Sequence, residues 1–389
     1  MNYEFKEHQI AQQMIARNLK GLFDLLLSLK GLALGKDYTL RWLYAAGGQS
    51  VLFLAEDIAG QLVIIKIPFL LYHRAAYVST EEILRVRQHL EMEANLLQLF
   101  HNTTLPEFYN LIYTTNPLHP LVRGEEIVNQ EPFLVMEFIQ GQTLLEVARN
   151  VHRAAHPDYD ALERLAWLVT FTVIEFCILI SKQENAYLYS DLNPINLMLS
   201  NNVSRPIRIL DAGSLVPFRA NSILPPPFTP TYVPPEYYEA YSAGQILWPT
   251  PEYVMYTLGK TLWEILTNRQ PYPSEDPNLS EPNLGNYSRL LQNHISDLTQ
   301  RRYKNFEQLN QSLKLAPIST KESFGNIVVK LLNFTNSEPT EKLAPTLYVP
   351  SFLNSKPVKL TESHKTQVGA VQVLRHTPNG HEFLVAGKN

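Results

Sequence analysis

Two acids and one amide stand close together near the middle of the chain. In the stretch Tyr187–Leu199, Asp191 is followed five residues later by Asn196, and Asp211 precedes a glycine soon afterwards. The pattern predicts a loop at a strand end and then a short apolar hairpin. One carboxylate can position a hydroxyl nucleophile while an amide oxygen and a second carboxylate hold magnesium ions, so the set suits phosphoryl transfer. An ordinary turn is the alternative, because Asp, Asn and Pro are common turn residues.

The residues before this loop predict a β-rich unit that can bind phosphate. Short β-rich runs begin at Tyr38, and the third of them, Leu62–Ile67, carries Lys66. A lysine in an apolar strand is costly to bury without an anionic partner. Between the first two runs, Gly47 and Gly48 would let backbone amides approach phosphates, although an ordinary hairpin turn also explains them.

Composition limits the class of protein. The 389 residues are 45% hydrophobic, which supports a large packed core and more than one domain. A net charge of -4 argues against nucleic-acid binding as the main function. Cys177, the single cysteine, cannot form an intramolecular disulfide, and the charged start of the chain does not resemble a secretory signal. We therefore expect a cytoplasmic protein, in which the apolar run 166–180 is a buried helix and not a transmembrane segment.

Several motifs follow the order found in one known family. The step from Asp191 to Asn196 is that of D-L-x-x-x-N, and Asp211 opens Asp-Ala-Gly where D-F-G is expected. Residues 228–236 resemble the end of an activation segment, G-T-P-x-Y-x-A-P-E. Over roughly residues 38–315 the chain resembles the eukaryotic-like, Hanks-type bacterial Ser/Thr protein kinases. This resemblance implies an α+β, two-lobed kinase fold.

The resemblance also implies ATP and Mg²⁺ as cofactors and a role for individual residues. Lys66 would grip the α- and β-phosphates and would be held by Glu93 of the following helix, with Glu91 as the alternative partner. Asn196 and Asp211 would hold Mg²⁺. The residues implied in catalysis are Asp191, Lys66, Glu93, Asn193 and Thr229.

A nucleotide slot is implied by the stretch from Glu131 to Leu145, which is similar to a kinase hinge. Met136 would be the gatekeeper, and the backbones of Glu137 and Ile139 would bind adenine. For each apolar residue of the slot, plain core packing is the alternative. The residues implied in nucleotide binding are Ala45, Gly47, Gly48, Ser50, Leu52, Ile64, Lys66, Met136, Glu137, Ile139 and Met198.

The segment resembling an activation-segment end implies a shelf for a polypeptide substrate. Thr229 would hydrogen-bond Asp191. Glu236 would pair with an arginine near the end of the large lobe, with Arg302 as the better candidate and Arg301 as the second. Small-molecule phosphotransferases of the same fold generally lack this segment.

Several departures from the family pattern bear on activity. Asp-Ala-Gly lacks the phenylalanine of D-F-G, which in the family packs under the helix that carries Glu93. Ser190 replaces the arginine of H-R-D, so this is a divergent non-R-D member in which activation by loop phosphorylation is not expected. Asn193 replaces a lysine and removes a positive charge near the γ-phosphate, which would slow transfer. Val254 stands where an aspartate normally braces the catalytic loop, and Glu252 is two residues away.

The predicted organisation has four parts. Residues 1–36 form an N-terminal helical extension, 37–140 the small lobe, 141–318 the large lobe, and 319–389 a linker and C-terminal extension with a β-hairpin around a turn at Pro378–Gly380. The N-terminal helix is amphipathic and either packs on the domain or meets a membrane surface or a partner. The C-terminal extension could dock a partner.

The sequence leaves three functions open. The preferred hypothesis is a signalling protein kinase that transfers the γ-phosphoryl group of ATP to Ser or Thr of a protein substrate. The alternatives are a pseudokinase scaffold with weak or no catalysis and a small-molecule phosphotransferase.

Overall fold

The chain folds into a β-rich unit followed by a helical unit. A computed structural model describes residues 3–16, 20–47, 50–69, 80–116, 118, 130–218, 226–314, 328–332, 368–377 and 380–387. The strands of the first unit are β1 (Ala33–Leu34), β2 (Tyr38–Ala46), β3 (Ser50–Asp57), β4 (Leu62–Pro68), β5 (Phe108–Thr114) and β6 (Glu131–Glu137). They form one antiparallel sheet in the order β1-β2-β3-β4-β6-β5.

The two faces of this sheet belong to different cores. Side chains alternate along a strand, so Phe53 on β3 and Ile65 on β4 pack into one core, whereas Leu54 and Ile64 pack into the other. Lys66 lies two residues beyond Ile64 and therefore shares the second face. Apolar, β-branched residues suit a strand that is covered on both sides.

Two N-terminal helices cover the first face of the sheet. They are α1 (Tyr3–Ala16) and α2 (Lys20–Ser28), where the sequence predicted one amphipathic helix. Their buried side chains include Met14 and Leu26, which join Phe53 and Ile65 in the same core. The predicted apolar stripe is thus used for packing on the sheet.

Helix α3 (Thr80–Leu99) lies on the second face. It contacts β4, β5, β6 and a short 3-10 turn at Ala212–Ser214. Leu90, Ala94 and Leu97 recur at helical spacing and are buried there. This helix therefore connects the sheet to the turn that follows Asp211.

The helical unit is built around α7 (Pro251–Thr267), which is buried along nearly its whole length. Thr250 caps its first turn by accepting a hydrogen bond from the Tyr253 N–H, and Asn268, in the left-handed region at φ 54°, ends it. The helices around it are α4 (Leu144–Arg153), α5 (Tyr159–Ser181), α6 (Pro235–Ser242), α8 (Arg289–Thr299) and α9 (Phe306–Lys314).

Within the described residues, α5 alone is long and apolar enough to cross a membrane. It has 23 residues, and its most apolar stretch of 18 residues has a mean hydropathy of 1.8 and is 61% buried inside the protein. It packs against α7 and α9. Its apolar character is therefore that of a core helix, as the sequence predicted.

Short strands between the helices carry the polar loops of the cleft. The strands are β7 (Gly141–Thr143), β8 (Tyr187–Tyr189), β9 (Leu197–Ser200), β10 (Ile207–Ile209) and β11 (Leu215–Pro217). β9 pairs with β7 and β10, and β8 pairs with β11. Gly141 lets β7 approach β9, because a Cβ there would lie 2.2 Å from the carbonyl oxygen of Leu199.

The C-terminal residues contain two described pieces. Residues 328–332 are helical, and Val328 and Leu331 are buried in the core of the helical unit. Further on, β12 (Val368–Thr377) and β13 (Gly380–Gly387) pair as an antiparallel hairpin. Pro378 and Asn379 of its predicted turn lie outside the described residues.

Candidate functional site: a cleft between the two units

Lys66 on β4 forms an ion pair with Glu93 on α3. Its Nζ lies 2.6 Å from Glu93 Oε2 and 3.6 Å from Asp211 Oδ1. Only 17% of the Lys66 side chain and 4% of the Glu93 side chain are exposed. Glu91, the alternative partner in the sequence prediction, instead accepts a hydrogen bond from the Tyr113 hydroxyl at 3.0 Å.

Burial and charge act in opposite directions on Lys66. Burial favours the neutral amine, but the charges of Glu93 and Asp211 outweigh it and raise the pKa of Lys66 above its ordinary value. The lysine is therefore fixed as a cation at neutral pH. Glu93 Oε1, the second oxygen of its partner, is buried without a hydrogen-bond partner in the described part of the chain.

Asp211 begins the short 3-10 turn that α3 contacts. Ser214 donates its hydroxyl to Asp211 Oδ2 at 2.6 Å. At Gly213, a Cβ would lie 3.2 Å from Asp211 Oδ1 and 3.3 Å from Glu93 Oε2. The glycine therefore leaves room for both acids to approach Lys66.

Asp191 is held by the amide side chains of its own loop. Asn193 Nδ2 donates to Asp191 Oδ1 at 3.2 Å, and Asn196 Nδ2 donates to Asp191 Oδ2 at 3.1 Å. Burial raises the pKa of Asp191 to about 6, helped by Asp211, whereas hydrogen bonds from Thr229, Asn193 and Asn196 oppose the shift. The loop thus presents a carboxylate whose basicity is closer to neutrality than that of an exposed aspartate.

Asn193 occupies the place of the expected lysine without supplying its charge. Its Oδ1 accepts from the N–H groups of Ile195 and Asn196 at 3.0 and 3.1 Å, so it shapes the turn. Its Nδ2 also lies 3.4 Å from the Thr229 hydroxyl. The structure therefore brings Asn193 and Thr229 to Asp191, but through neutral contacts.

The end of the predicted activation segment is fixed to the helical unit. The Tyr232 hydroxyl donates to Glu264 on α7. Glu236 is paired by Arg301, with Nη1 to Oε1 at 2.6 Å and Nη2 to Oε2 at 2.7 Å. The preference for Arg302 was wrong, because Arg302, which lies in the loop after α8, pairs with Asp297 of α8.

Helix α7 reaches the predicted catalytic loop through a residue that the sequence analysis missed. Val254 is fully buried, and Glu252 pairs with Lys304 at 3.4 Å. Between them, Tyr253 donates its hydroxyl to the carbonyl oxygen of Ser190 at 2.7 Å. The sequence signal for this contact was a tyrosine next to the position of the expected aspartate, because the long side chain of tyrosine ends in a hydrogen-bond donor.

The predicted hinge lies at the end of β6. Met136 is buried and pairs with Ile64 across the sheet. The Glu137 side chain is engaged by Arg208, whose Nη1 donates to Oε1 at 3.1 Å. The N–H of Ile139 has no partner among the described residues, so it can donate to a ligand.

The apolar residues predicted to line the slot come from the sheet of the first unit and from β9 of the second. Leu52, Ile64 and Met136 share the sheet face that carries Lys66. On the other side, Met198 lies on β9 between Leu197 and Leu199, which belong to the main core, so the strand alternation directs Met198 to the opposite face.

The predicted phosphate-binding turn joins β2 and β3. Ala45 pairs with Leu52, and the N–H of Gly47 donates to the carbonyl oxygen of Ser50 at 2.8 Å. Gly48 lies outside the described residues.

The oxygen donors of the cleft fit a divalent cation. Asn196 commits its amide nitrogen to Asp191, which leaves its oxygen for a metal, and Asp211 adds a carboxylate. Mg²⁺ prefers such oxygen ligands and usually takes others from water and substrate phosphates. The described residues hold no group of three or more His, Cys, Asp or Glu that could bind a metal alone, so phosphate oxygens would have to complete the shell.

Comparison with known proteins identifies the family. A family model described as the protein kinase domain matches residues 73–341. The chain belongs to the protein kinase family. Its Hanks-type resemblance and two-lobed kinase fold are thereby confirmed, with the β-rich unit as the small lobe and the helical unit as the large lobe.

One curated relative and one solved structure support this assignment. The chain is 24% identical over 247 residues to "Serine/threonine-protein kinases drp72" of Corynebacterium efficiens. That match covers 62% of this chain and 41% of the relative, so the chain spans less than half of that protein's length. PpkA-294 in its apo form has a TM-score of 0.50 at 16% identity, covering 73% of this chain and 98% of that one, which supports the fold alone.

Proposed function

We propose that this kinase transfers the γ-phosphoryl group of ATP to a serine or threonine hydroxyl of a protein substrate. The observation that carries the proposal is the convergence of Lys66, Glu93 and Asp211 on one side of the cleft with Asp191 and Asn196 on the other. A cation, two groups that can hold metal and a carboxylate with raised pKa are the set that phosphoryl transfer needs.

The small lobe binds the nucleotide. Lys66, fixed as a cation by Glu93, contacts the phosphates, and the amides near Gly47 close over them. Adenine lies between Leu52 and Met198, where the Ile139 N–H and the Glu137 carbonyl supply one donor and one acceptor.

Asp191 and Thr229 position the acceptor. Asp191 receives the hydroxyl proton as the new bond forms between the substrate oxygen and the γ-phosphorus, and the bond from that phosphorus to the β-phosphate oxygen breaks to release ADP. Asn196 and Asp211 hold Mg²⁺. When bound, Mg²⁺ neutralises negative charge on the phosphates.

A polypeptide acceptor is supported by the anchored segment from Thr229 to Glu236. The hydrogen bond of Tyr232 to Glu264 and the ion pair of Glu236 with Arg301 fix this segment at two positions. A fixed surface beside Asp191 can align an extended peptide, which a small-molecule phosphotransferase does not require.

A pseudokinase is the second candidate, and Asn193 is the observation that favours it. The neutral amide leaves the transferring phosphoryl group without the second cation that the family normally places there. Such a protein would bind ATP through Lys66 and turn it over slowly or not at all.

Transfer of radiolabel from γ-labelled ATP separates these functions. We expect wild-type protein with Mg²⁺ to label itself or a generic acceptor protein, and Asp191→Asn and Lys66→Ala to label at least about 100-fold less. Nucleotide binding is followed in parallel by thermal shift. Binding without transfer would establish the pseudokinase, and labelling of metabolites but never of proteins would establish the small-molecule enzyme.

A further inference from the structure

Ser190 joins three segments of the large lobe. It is 1% exposed, and its N–H donates to the Ser214 carbonyl at 2.9 Å. Its hydroxyl lies 2.6 Å from the Pro227 carbonyl and 3.0 Å from that of Ser214. Since one hydroxyl carries one proton, the shorter contact is the stronger hydrogen bond. Ser190 thus connects its own loop to Ser214, in the turn that follows Asp211, and to Pro227, which directly precedes the predicted end of the activation segment.

The carbonyl of Ser190 is fixed from the other side by α7. Tyr253 is 3% exposed, donates to this carbonyl at 2.7 Å and lies with its ring 4.6 Å from that of Tyr237. Burial and the nearby Asp191 raise the pKa of Tyr253 far above its ordinary value, so the phenol stays a donor over the physiological range. Ser190 is therefore hydrogen-bonded through its N–H, its hydroxyl and its carbonyl.

Asp191 follows Ser190 directly, so the position of this peptide sets the position of the carboxylate. A displacement of about 1 Å at a reacting group can cost about 100-fold in rate. The hydrogen bonds to Ser190 would limit such a displacement.

We propose that Tyr253 and Ser190 are positioning residues that hold the catalytic loop and the activation segment in their working arrangement without a charge or a phosphate. Tyr253 takes the role of the aspartate that the family has at the position of Val254. Ser190 binds the Pro227 backbone directly. The inference rests on the proposed kinase function for its effect on rate, but the positioning itself does not depend on turnover.

Tyr253→Phe tests the first half, because it removes one hydroxyl and keeps the ring. We expect kcat for a protein acceptor to fall about tenfold while the KM for ATP stays unchanged, since Lys66 and the hinge are untouched. Hydrogen exchange of the amides in residues 190–196 should accelerate about tenfold, as expected for the loss of one buried hydrogen bond.

Tyr256→Phe is the matched control. Tyr256 lies on the same helix and its hydroxyl donates to Asp276 at 2.7 Å, away from the catalytic loop. This variant should lose stability, but the amide hydrogen exchange of residues 190–196 and the kcat should stay at their wild-type values. Equal exchange and equal kcat in the two phenylalanine variants would overturn the role of Tyr253.

Ser190→Ala tests the second half. We expect faster exchange of residues 226–232 and a lower kcat, while phosphatase treatment leaves the kcat of the wild type unchanged. Loss of activity on phosphatase treatment, or no change in exchange in Ser190→Ala, would contradict the proposal. If the wild type transfers no phosphate, the kinase function fails, whereas the exchange measurements still decide whether these two residues position the loop.

Discussion

The two sides of the cleft solve the same positioning problem with different chemistry. On one side lies a charged cluster of Lys66, Glu93 and Asp211, joined by ion pairs of 2.6 and 3.6 Å. On the other lies a neutral cluster of Ser190, Asn193 and Tyr253, joined to its neighbours by hydrogen bonds.

The difference follows from what each side must bind. Polyphosphate carries several negative charges, so its site needs a cation that stays charged although it is buried, and only nearby acids can secure that. A loop backbone needs only donors and acceptors at fixed places, and neutral side chains provide these without the cost of burying charge. The neutral cluster can therefore hold geometry, but it cannot stabilise charge on the transferring group.

The largest expected effect comes from breaking the charged cluster. Lys66→Met leaves the Glu93 carboxylate buried without a counter-charge, which should lower the free energy of unfolding by about 4 kcal/mol. The double variant Lys66→Met, Glu93→Gln should recover most of that loss, because no unpaired buried charge remains. Urea denaturation of these two variants and of the single variant Glu93→Gln gives the coupling free energy between Lys66 and Glu93. Additive losses would mean that the pair is not a unit.

The pH dependence of stability should reveal Glu264, the buried acid that holds Tyr232 of the predicted activation segment. Burial raises the pKa of Glu264 to about 7 from 4.5. Because the folded pKa is the higher one, its stabilising contribution is complete below pH 4.5 and is lost as the pH rises through 7, by about 3 kcal/mol in all. Glu264→Gln cannot titrate, so its unfolding free energy relative to wild type should rise between pH 4.5 and 7.5. Parallel pH profiles of the two proteins would refute this.

Adding a charge to the neutral cluster should increase activity. Asn193→Lys supplies a cation near the transferring group, and we expect kcat to rise about tenfold. It should also lose about 1 to 2 kcal/mol of stability, because Oδ1 no longer accepts from Ile195 and Asn196. Asn193→Met is the control, since it loses the same hydrogen bonds without adding charge. If both variants transfer phosphate at the same reduced rate, charge is not what this position lacks.

The smallest expected effect is at the exposed rim of the large lobe. The Arg301 and Glu236 side chains are 35% and 44% exposed, so solvent screens their ion pair. Arg301→Gln should cost less than about 1 kcal/mol of unfolding free energy in thermal or urea denaturation. Arg302→Gln serves as the comparison. A loss of unfolding free energy in Arg301→Gln as large as that in Lys66→Met would show that exposure does not predict the strength of this ion pair.

Much of the cleft could be predicted because its signals are local in sequence. Lys66 was recognisable as a cation in an apolar strand, and Glu93 was preferred over Glu91 because its surroundings resemble a helix of the kinase family. The loop from Asp191 to Asn196 is a fixed step of five residues. The choice between Arg301 and Arg302 failed, because adjacent residues differ only in the direction that the backbone gives them, and Arg301 has φ 55°.

The N-terminal helices show the same limit. Apolar spacing predicted an amphipathic helix, but not that two helices would cover the outer face of the sheet and share a core with Phe53 and Ile65. An apolar stripe predicts that one face of a helix is buried, but it does not identify the surface that covers this face.

The sequence by itself determined the family and the two-lobed fold, and it singled out the candidate phosphate-binding side chains, because charged residues in apolar surroundings stand out at short spacing. Only the tertiary structure decided what holds the predicted catalytic loop. Ser190 and Tyr253 are 63 residues apart, and each is common and neutral. Their hydrogen bond depends on where α7 passes beneath the loop, and that position results from the packing of the whole large lobe.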